Sequence, residues 1–311
     1  MTKKEEFFYD SSDGKTEIHA IKWIPEDVQI RAVLQISHGM LEHIKRYHDF
    51  AQYLAERGIL VVGNDHLGHG DSLDCEENRG FFCEKGGNKI VLEDIDKLKS
   101  IMKKDYPDVP YFMLGHSMGS YLLRQHMNQY DSDIQGAIIM GTGHQPYALL
   151  QSGLFLTKII AAVKGYHYRS KLVDNLAIGG YNKHFEPCRT SVDWLSRDEK
   201  IVDEYLSDPK INFIFTLNAY YNMFKGMLTL YDNKNLEKIS KDLPILLISG
   251  ENDPVGNFGK DVKKLYEGYK NIGLKDVNIK LYKDSRHEII NEIDRKTVYE
   301  DVFSWIIKRI T

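Results

Sequence analysis

Short apolar runs rich in β-branched residues alternate with longer amphipathic ones along most of this chain, and that alternation leaves few architectures open. "RAVLQISHG" and "GILVVGNDH" are compact runs closed by Gly, Asn or His. Between them "YHDFAQYLAERG" places Phe50, Tyr53 and Leu54 on one helical face, and Gly58 fits its C-terminal stop. "GGNKIVLEDIDKLKSIMKKDYP" reads as a charged, solvated helix ended by Pro107. "PYFMLG" reads as a buried strand, "SMGSYLLRQHMNQY" as a helix and "IQGAIIMG" as another buried strand. The same grammar returns near the end: "LPILLISG" strand, "GKDVKKLYEGYKNIG" helix, "VNIKLY" strand, "DRKTVYEDVFSWIIKRI" helix. Parallel strands need long crossovers, and helices in those crossovers cover both faces of the sheet. The chain therefore reads as α/β, with a mostly parallel central sheet. Upstream, "TEIHAIKWI" alternates with period two and meets Pro25, so it reads as a strand near a sheet edge.

The grammar breaks from about residue 142 to 241. That segment is helical in pattern, rich in Tyr, Phe, Leu and Met, and holds no short β-branched run of core type. It reads as an inserted helical cap (142–241) between two parts of one core, 1–141 and 242–311. Within it "ALLQSGLFLTKIIAAVKGY" is about long enough to span a membrane, but Gln151, Lys158 and Lys164 interrupt it. A charge near the centre of a spanning helix costs about 2.5–3.5 kcal/mol, which favours a cap helix. A net charge of −4 offers no basic field to attract nucleic acid. The N-terminus, "MTKKEEFFYDSSDGK", lacks the apolar core of a signal peptide. Cys75, Cys83 and Cys188 are an odd number without CxxC spacing. They read as reduced thiols of a cytoplasmic protein, and no metal site is expected from them.

The chemistry concentrates at Gly115-His116-Ser117-Met118-Gly119, a G-x-S-x-G run between a buried strand and a helix. A turn that sharp strains the serine backbone, and the residues two positions away must be tiny for strand and helix to approach. The hydroxyl is then lifted beside a helix N-terminus, where the dipole favours negative charge. The bland alternative is a Gly-rich turn in which Ser117 merely caps a helix. An acyl-transfer serine also needs a base, an acid that orients it, and donors for an oxyanion. In the order Ser, acid, His, "ILLISGENDPVG" supplies Glu251 and Asp253 after a late strand. Asp253 is preferred because Pro254 holds its backbone extended. "VNIKLYKDSRHEI" presents His287 on the loop after the last strand. "LQISHGMLEH" places His38-Gly39-Met40 after an early strand, so the backbone N–H groups of Met40 and Met118 are the expected oxyanion hole. His38 reads as a brace for that loop.

Taken together, "HGMLEHIKRYHDFAQYLAERG", "NDHLGHGDS", "LGHSMGS", "SGENDPVGNFGKDV" and "RHEIINE" resemble the monoacylglycerol lipase and lysophospholipase group of α/β-hydrolases, the serine aminopeptidase-like family. In the insertion, "LSRDEKIVDEYLSDP" resembles the cap of monoacylglycerol lipases. The resemblance spans about Ile36 to Ile306. It implies the α/β-hydrolase fold, Ser117 as nucleophile, Asp253 as acid, His287 as base, and Met40 and Met118 as oxyanion donors. The family often has Ala-Gly or Gly-Gly after HG, and Met40-Leu41 departs from that on the acyl side of the serine. The loop Gly68 to Ser72 matches the family's G-x-G-x-S and reads as structural support.

The expected activity is a serine hydrolase acting on small-molecule acyl esters, monoacylglycerols or lysophospholipids first, with no cofactor. Rivals are a short-chain carboxylesterase, an aminopeptidase-like amidase, and a non-catalytic small-molecule receptor on the same fold. Asp193, Asp198, Glu199, Asp203 and Glu204 could attract a peptide amine but read as one solvated helix face. In "NFIFTLNAYYNMFKGMLTL", Phe215, Asn218, Asn222 and Phe224 recur at helical spacing. They read either as a face packed on the core or, for Phe215 and Phe224, as a wall of an acyl pocket. A transient contact with a membrane surface would run through the cap.

Overall fold

The computed structural model describes residues 1–130 and 133–310. Eight strands form one sheet in the order β1-β2-β4-β3-β5-β6-β7-β8. They are β1 (Thr2–Asp10), β2 (Glu17–Pro25), β3 (Ala32–Ser37), β4 (Ile59–Asn64), β5 (Tyr111–His116), β6 (Gly136–Met140), β7 (Ile245–Gly250) and β8 (Val277–Tyr282). β1 and β2 run antiparallel to their neighbours, and from β4 to β8 every pairing is parallel. This is the mostly parallel α/β sheet that the strand–helix alternation implies, in the α/β-hydrolase architecture that the family resemblance implies.

The side-chain period of two divides each strand between two cores. Leu34, Ile36, Phe112, Leu114, Ile138 and Met140 face the core under α1 (His48–Ala55) and α10 (Arg295–Ile307). Val33, Met113, Ala137 and Ile139 face the other, covered by α2 (Gly87–Asp105), α3 (Met118–Gln129) and α9 (Lys260–Asn271). α2 is not the solvated helix its charges suggest. Val91, Leu92, Ile95, Leu98 and Met102 are buried on one face, Lys99 is buried in an ion pair with Asp96, and Lys89, Lys97, Lys103 and Lys104 lie off the buried face. β1 is a strand with no expectation behind it. It takes the sheet edge, so β2 lies one position inside.

Between β6 and β7 the described residues hold helices only: α4 (Tyr147–Lys164), α5 (Lys171–Ala177), α6 (Glu199–Ser207), α7 (Leu217–Thr229) and α8 (Asn233–Leu236), with a 3₁₀ turn at Tyr181–Phe185. They emerge at the C-terminal edge of the parallel strands. α7 is wedged, with one side on α2 and α3 and the other under α4. Asn218 accepts from the Phe82 N–H (3.2 Å) and donates to the Cys83 carbonyl (2.8 Å), and Asn222 accepts from the Asn88 N–H (3.1 Å). Those amides fasten α7 to the core. Thr216 caps the helix by accepting from Ala219 N–H, and Asp198 caps α6 through Lys200 N–H.

Candidate active site

β5 ends where α3 begins, and Ser117 is the single residue between them. Its backbone stands at φ 51°, ψ −117°, a region that L-residues avoid. Two glycines make the turn possible. A Cβ on Gly119 would lie 2.0 Å from the Ser37 carbonyl oxygen, and one on Gly115 would lie 2.3 Å from that of Gly119. The turn is held by Ser117 N–H donating to the Met140 carbonyl (3.0 Å), and by Ser120, whose N–H and hydroxyl both donate to the Ser117 carbonyl.

Asp253 and His287 arrive on the loops after β7 and β8. Asp253 is fully buried and accepts three hydrogen bonds: from His287 Nδ1 (3.0 Å), Val255 N–H (2.9 Å) and the Ser249 hydroxyl (3.1 Å). A carboxylate fixed on three sides can orient an imidazole. Glu251 is exposed, so it has no such hold. His287 and Ser117 line the same cavity of about 690 Å³. No hydrogen bond links the serine hydroxyl to His287 among the described residues, and such bonds often tighten only when substrate binds. Met40 and Met118 line the cavity beside Ser117. Among the described residues neither methionine N–H has an acceptor.

Leu41 sits at φ 55°, where the family's glycine would be relaxed. It lines the cavity too, so the strained position carries an apolar side chain toward the site. The His38 imidazole does brace this loop. Its Nδ1 donates to the Gly39 carbonyl (2.8 Å) and its Nε2 accepts from His66 N–H (2.9 Å). Burial, then His66 and His69, push its pKa well below the usual histidine value. Burial also lowers His66 to about 4 and His69 to about 3. This cluster stays neutral and structural.

The sequence reading missed a charged network behind the oxyanion loop. The buried Glu42 carboxylate accepts from Gly39 N–H, the Tyr47 hydroxyl (3.0 Å) and His116 Nδ1 (2.9 Å). Burial pushes Glu42 up, but His116 and Arg46 outweigh it and hold the carboxyl well below its ordinary range. Burial likewise opposes charge on His116, and Glu42 outweighs it, so that imidazole is raised. Arg46 bonds Glu288 through both terminal nitrogens (2.6 and 2.7 Å) and reaches Glu42 at 3.3 Å. The i, i+4 spacing of Glu42 and Arg46 was a readable signal; the partner 242 residues away was not.

The cavity wall is largely apolar, with Leu149, Leu150 and Leu156 of α4 and Met223, Phe224 and Met227 of α7 lining it. Phe215 is a correction. It does not line the cavity but is fully buried against His69, Phe82, Phe213 and Tyr220. Asn218 and Asn222 also lie off the wall, occupied as described. The acidic set of the insertion is not one solvated face either. Asp193 is buried and accepts from Arg189 and Thr190, and Asp198 pairs with Arg295 at 3.0 Å. Glu199, Asp203 and Glu204 remain exposed.

His19, Asp65 and Asp71 bring ligand atoms within 4.8 Å of one another. Asp65 is already engaged by His19 Nδ1 and the N–H groups of Ile44 and Asp71. Asp71 pairs with Lys45 and Lys210. Two ammonium groups make this a poor place for a cation and a good brace for the Gly68–Ser72 loop. The Ser72 hydroxyl completes it by donating to the Asp65 carbonyl (2.8 Å).

A family model described as serine aminopeptidase, S33, matches residues 28–294. The monoacylglycerol lipase of Mycolicibacterium smegmatis is 27% identical over 298 residues, covering 93% of this chain and 92% of that protein. The monoglyceride lipase of Rattus norvegicus is 28% identical over 298 residues, covering 93% and 86%. Among solved structures, a thermostable carboxyl esterase from Bacillus coagulans in complex with glycerol superposes with a TM-score of 0.92 at 30% identity, with both chains covered in full. Family model, relatives and fold agree along nearly the whole length: the chain belongs to the serine aminopeptidase S33 family of α/β-hydrolases.

Proposed function

We propose that this chain is a serine esterase acting on acyl esters, monoacylglycerols or lysophospholipids foremost. The carrying observation is a strained serine that shares one apolar cavity with a histidine hydrogen-bonded to a buried aspartate. Ser117 Oγ attacks the ester carbonyl carbon while His287 Nε2 takes its proton. Asp253 keeps the imidazole tautomer and stabilises the imidazolium. The oxyanion meets the N–H groups of Met40 and Met118, and one such donor is worth about 2.7–4 kcal/mol where it has been removed elsewhere. Collapse breaks the bond to the alcohol, which leaves with the proton from His287. Water, deprotonated by the same histidine, then releases the acid and restores Ser117.

The names of the relatives support an ester with a glycerol head, and the esterase structure contains glycerol. The engagement of Asp193 and Asp198 removes two carboxylates from an amine-binding role, which favours ester over amide. Residues 142–241 act in this reading as the cap. Leu149, Phe155, Ile159 and Val163 of α4 are at least half exposed, which suits transient contact with a lipid surface. The three cysteines are unpaired, which suits a reducing cytoplasm.

Fluorophosphonate labelling with peptide mapping tests the chemistry. Ser117 should carry the label, and a panel of p-nitrophenyl esters and monoacylglycerols should be hydrolysed. A label on another serine, or none, sinks the proposal.

A further inference from the structure

The loop that carries His287 does not rest on the core alone. His287 N–H donates to the Trp194 carbonyl (3.4 Å) and Glu288 N–H to the Leu195 carbonyl (2.8 Å). These two backbone rungs join the loop to a segment of the insertion. The Trp194 ring lies 4.9 Å from the His287 imidazole, tilted by 39°. Arg197, on the same segment, donates through Nε to Glu292 (2.8 Å) and through a terminal nitrogen to Asp294 (2.6 Å). Glu292 is fully buried and also accepts from the N–H groups of Arg286 (2.8 Å) and Arg197 (3.2 Å). Arg286 reaches back, donating to the carbonyls of Asp193 and Ser196. Residues 193–197 and 285–294 are thus laced by backbone rungs, a buried carboxylate and two arginines pointing in opposite directions.

The hold matters because Asp253 fixes only one atom of the imidazole ring. A single bond at Nδ1 leaves the ring free to pivot, and the Nε2 that must meet Ser117 would swing most. Displacing a reacting group by about 1 Å can lower turnover about 100-fold. The His116 ring at the end of β5, 4.8 Å from the imidazole, limits that pivot from the core, and the rungs and the Trp194 ring add a hold from the insertion. The hold also continues into the oxyanion loop, because Glu288 binds Arg46, Arg46 reaches Glu42, and Glu42 accepts from Gly39 N–H.

We infer that residues 193–197 are a positioning element for His287, anchored by the Arg197–Glu292 pair. The insertion then serves turnover of every ester, besides any role in choosing the acyl chain. The inference rests on the Ser–His–Asp reading above. Arg197 is its best probe because it stands outside the cavity wall, so its loss leaves the substrate-facing surface intact.

The test compares wild type, Arg197→Ala, Arg197→Lys and Glu292→Gln on p-nitrophenyl acetate and octanoate, with circular dichroism confirming folded protein at the assay temperature. Arg197→Ala should lower kcat about 10- to 100-fold, by the same factor for both esters, with KM within about twofold. Arg197→Lys and Glu292→Gln should show the same pattern with smaller losses, and they carry the test if Arg197→Ala does not fold. The downfield proton resonance of the His287–Asp253 hydrogen bond should broaden in the same order. Folded variants that keep wild-type kcat on acetate overturn the inference, whether or not their melting temperature falls. So does a loss confined to octanoate, which would leave the insertion a selector only. Failure of the esterase reading would show differently, as a wild-type protein that neither hydrolyses these esters nor takes the label at Ser117.

Discussion

A serine at φ 51° costs on the order of 1–3 kcal/mol, and the surroundings must impose it. Here the imposition is steric, because β3 and α3 approach so closely at Gly119 that a Cβ would overlap the Ser37 carbonyl. Gly119→Ala should therefore push α3 off β3. Thermal melts should show a loss of at least about 1–3 kcal/mol, the usual range for overpacking. A wild-type melt for Gly119→Ala would mean that the close approach is not tight. Asp253 leads to a second prediction. Asp253→Asn keeps the shape but favours the wrong imidazole tautomer, so kcat should fall on the order of 10⁴-fold, as losing the acid does in other triads. The exposed Glu251 predicts little change in Glu251→Gln, and steady-state kinetics on one ester would separate the two. Ser117, Asp253 and His287 were legible because each follows a strand that announces itself by composition. Glu288, Glu292 and Trp194 were not, because their partners come from distant parts of the chain and no local pattern marks them.

Among the elements, β3 to β7 were readable as compact apolar runs and β8 as a strand, and most helices between them followed from their sequence pattern. β1 escaped because "TKKEEFFYD" is half charged. An edge strand needs little burial, and charges there discourage pairing with another chain. α2 was misread for a related reason: its many charges hide a continuous apolar face. α2 also holds Asp94, which is buried under the β1–β2 connection. Asp94 accepts from the Ser11 hydroxyl (2.8 Å) and Ser12 N–H (2.6 Å), and its carbonyl accepts from the Tyr9 hydroxyl. Burial outweighs those bonds and raises its carboxyl to about 6. The folded state thus holds this proton more tightly than the unfolded chain, where an aspartate titrates near about 3.9. The stability that Asp94 contributes in its protonated form is complete below about pH 4 and is lost as pH rises through about 6. Above that, the buried charge costs about 2–3 kcal/mol on the scale of 1.36 kcal/mol per pKa unit. Asp94→Asn keeps an acceptor for Ser12 and lets the Ser11 hydroxyl reverse its role. Its melting temperature should exceed that of wild type at pH 8, lose about half of that advantage by about pH 5 and most of it by about pH 4. A difference that does not change with pH would rule out this account.

For the molecule as a whole, the sheet brings its loops to one edge and the helices between β6 and β7 meet them there, so the candidate catalytic residues and the apolar wall come from separate parts of the chain. The sequence marks the break in strand–helix alternation that falls between β6 and β7 but does not divide the faces of the helices there. Phe215 and Phe224 sit nine residues apart on the same apolar stretch, yet only Phe224 reaches the cavity. Phe215 turns instead into the aromatic cluster of Phe82, Phe213 and Tyr220. That separation lets selection be tested apart from stability. If the α4–α7 wall receives an acyl chain, each added methylene should gain up to about 0.8 kcal/mol, close to fourfold in kcat/KM per carbon until the cavity is full. Leu156→Asp or Phe224→Asp places a charge on that wall and should flatten the rise from acetate through butyrate to octanoate. Acetate hydrolysis itself should change far less, because acetate barely touches the wall. Phe215→Ala should do the reverse. It should destabilise the fold by about 3–5 kcal/mol, as large buried aromatics do when truncated, and leave the chain-length slope intact. Measuring the slope across the ester series in all three folded variants decides between wall and scaffold. A slope unchanged by both aspartates would place the acyl chain elsewhere, and a slope flattened by Phe215→Ala would mean that the aromatic cluster shapes the pocket at a distance.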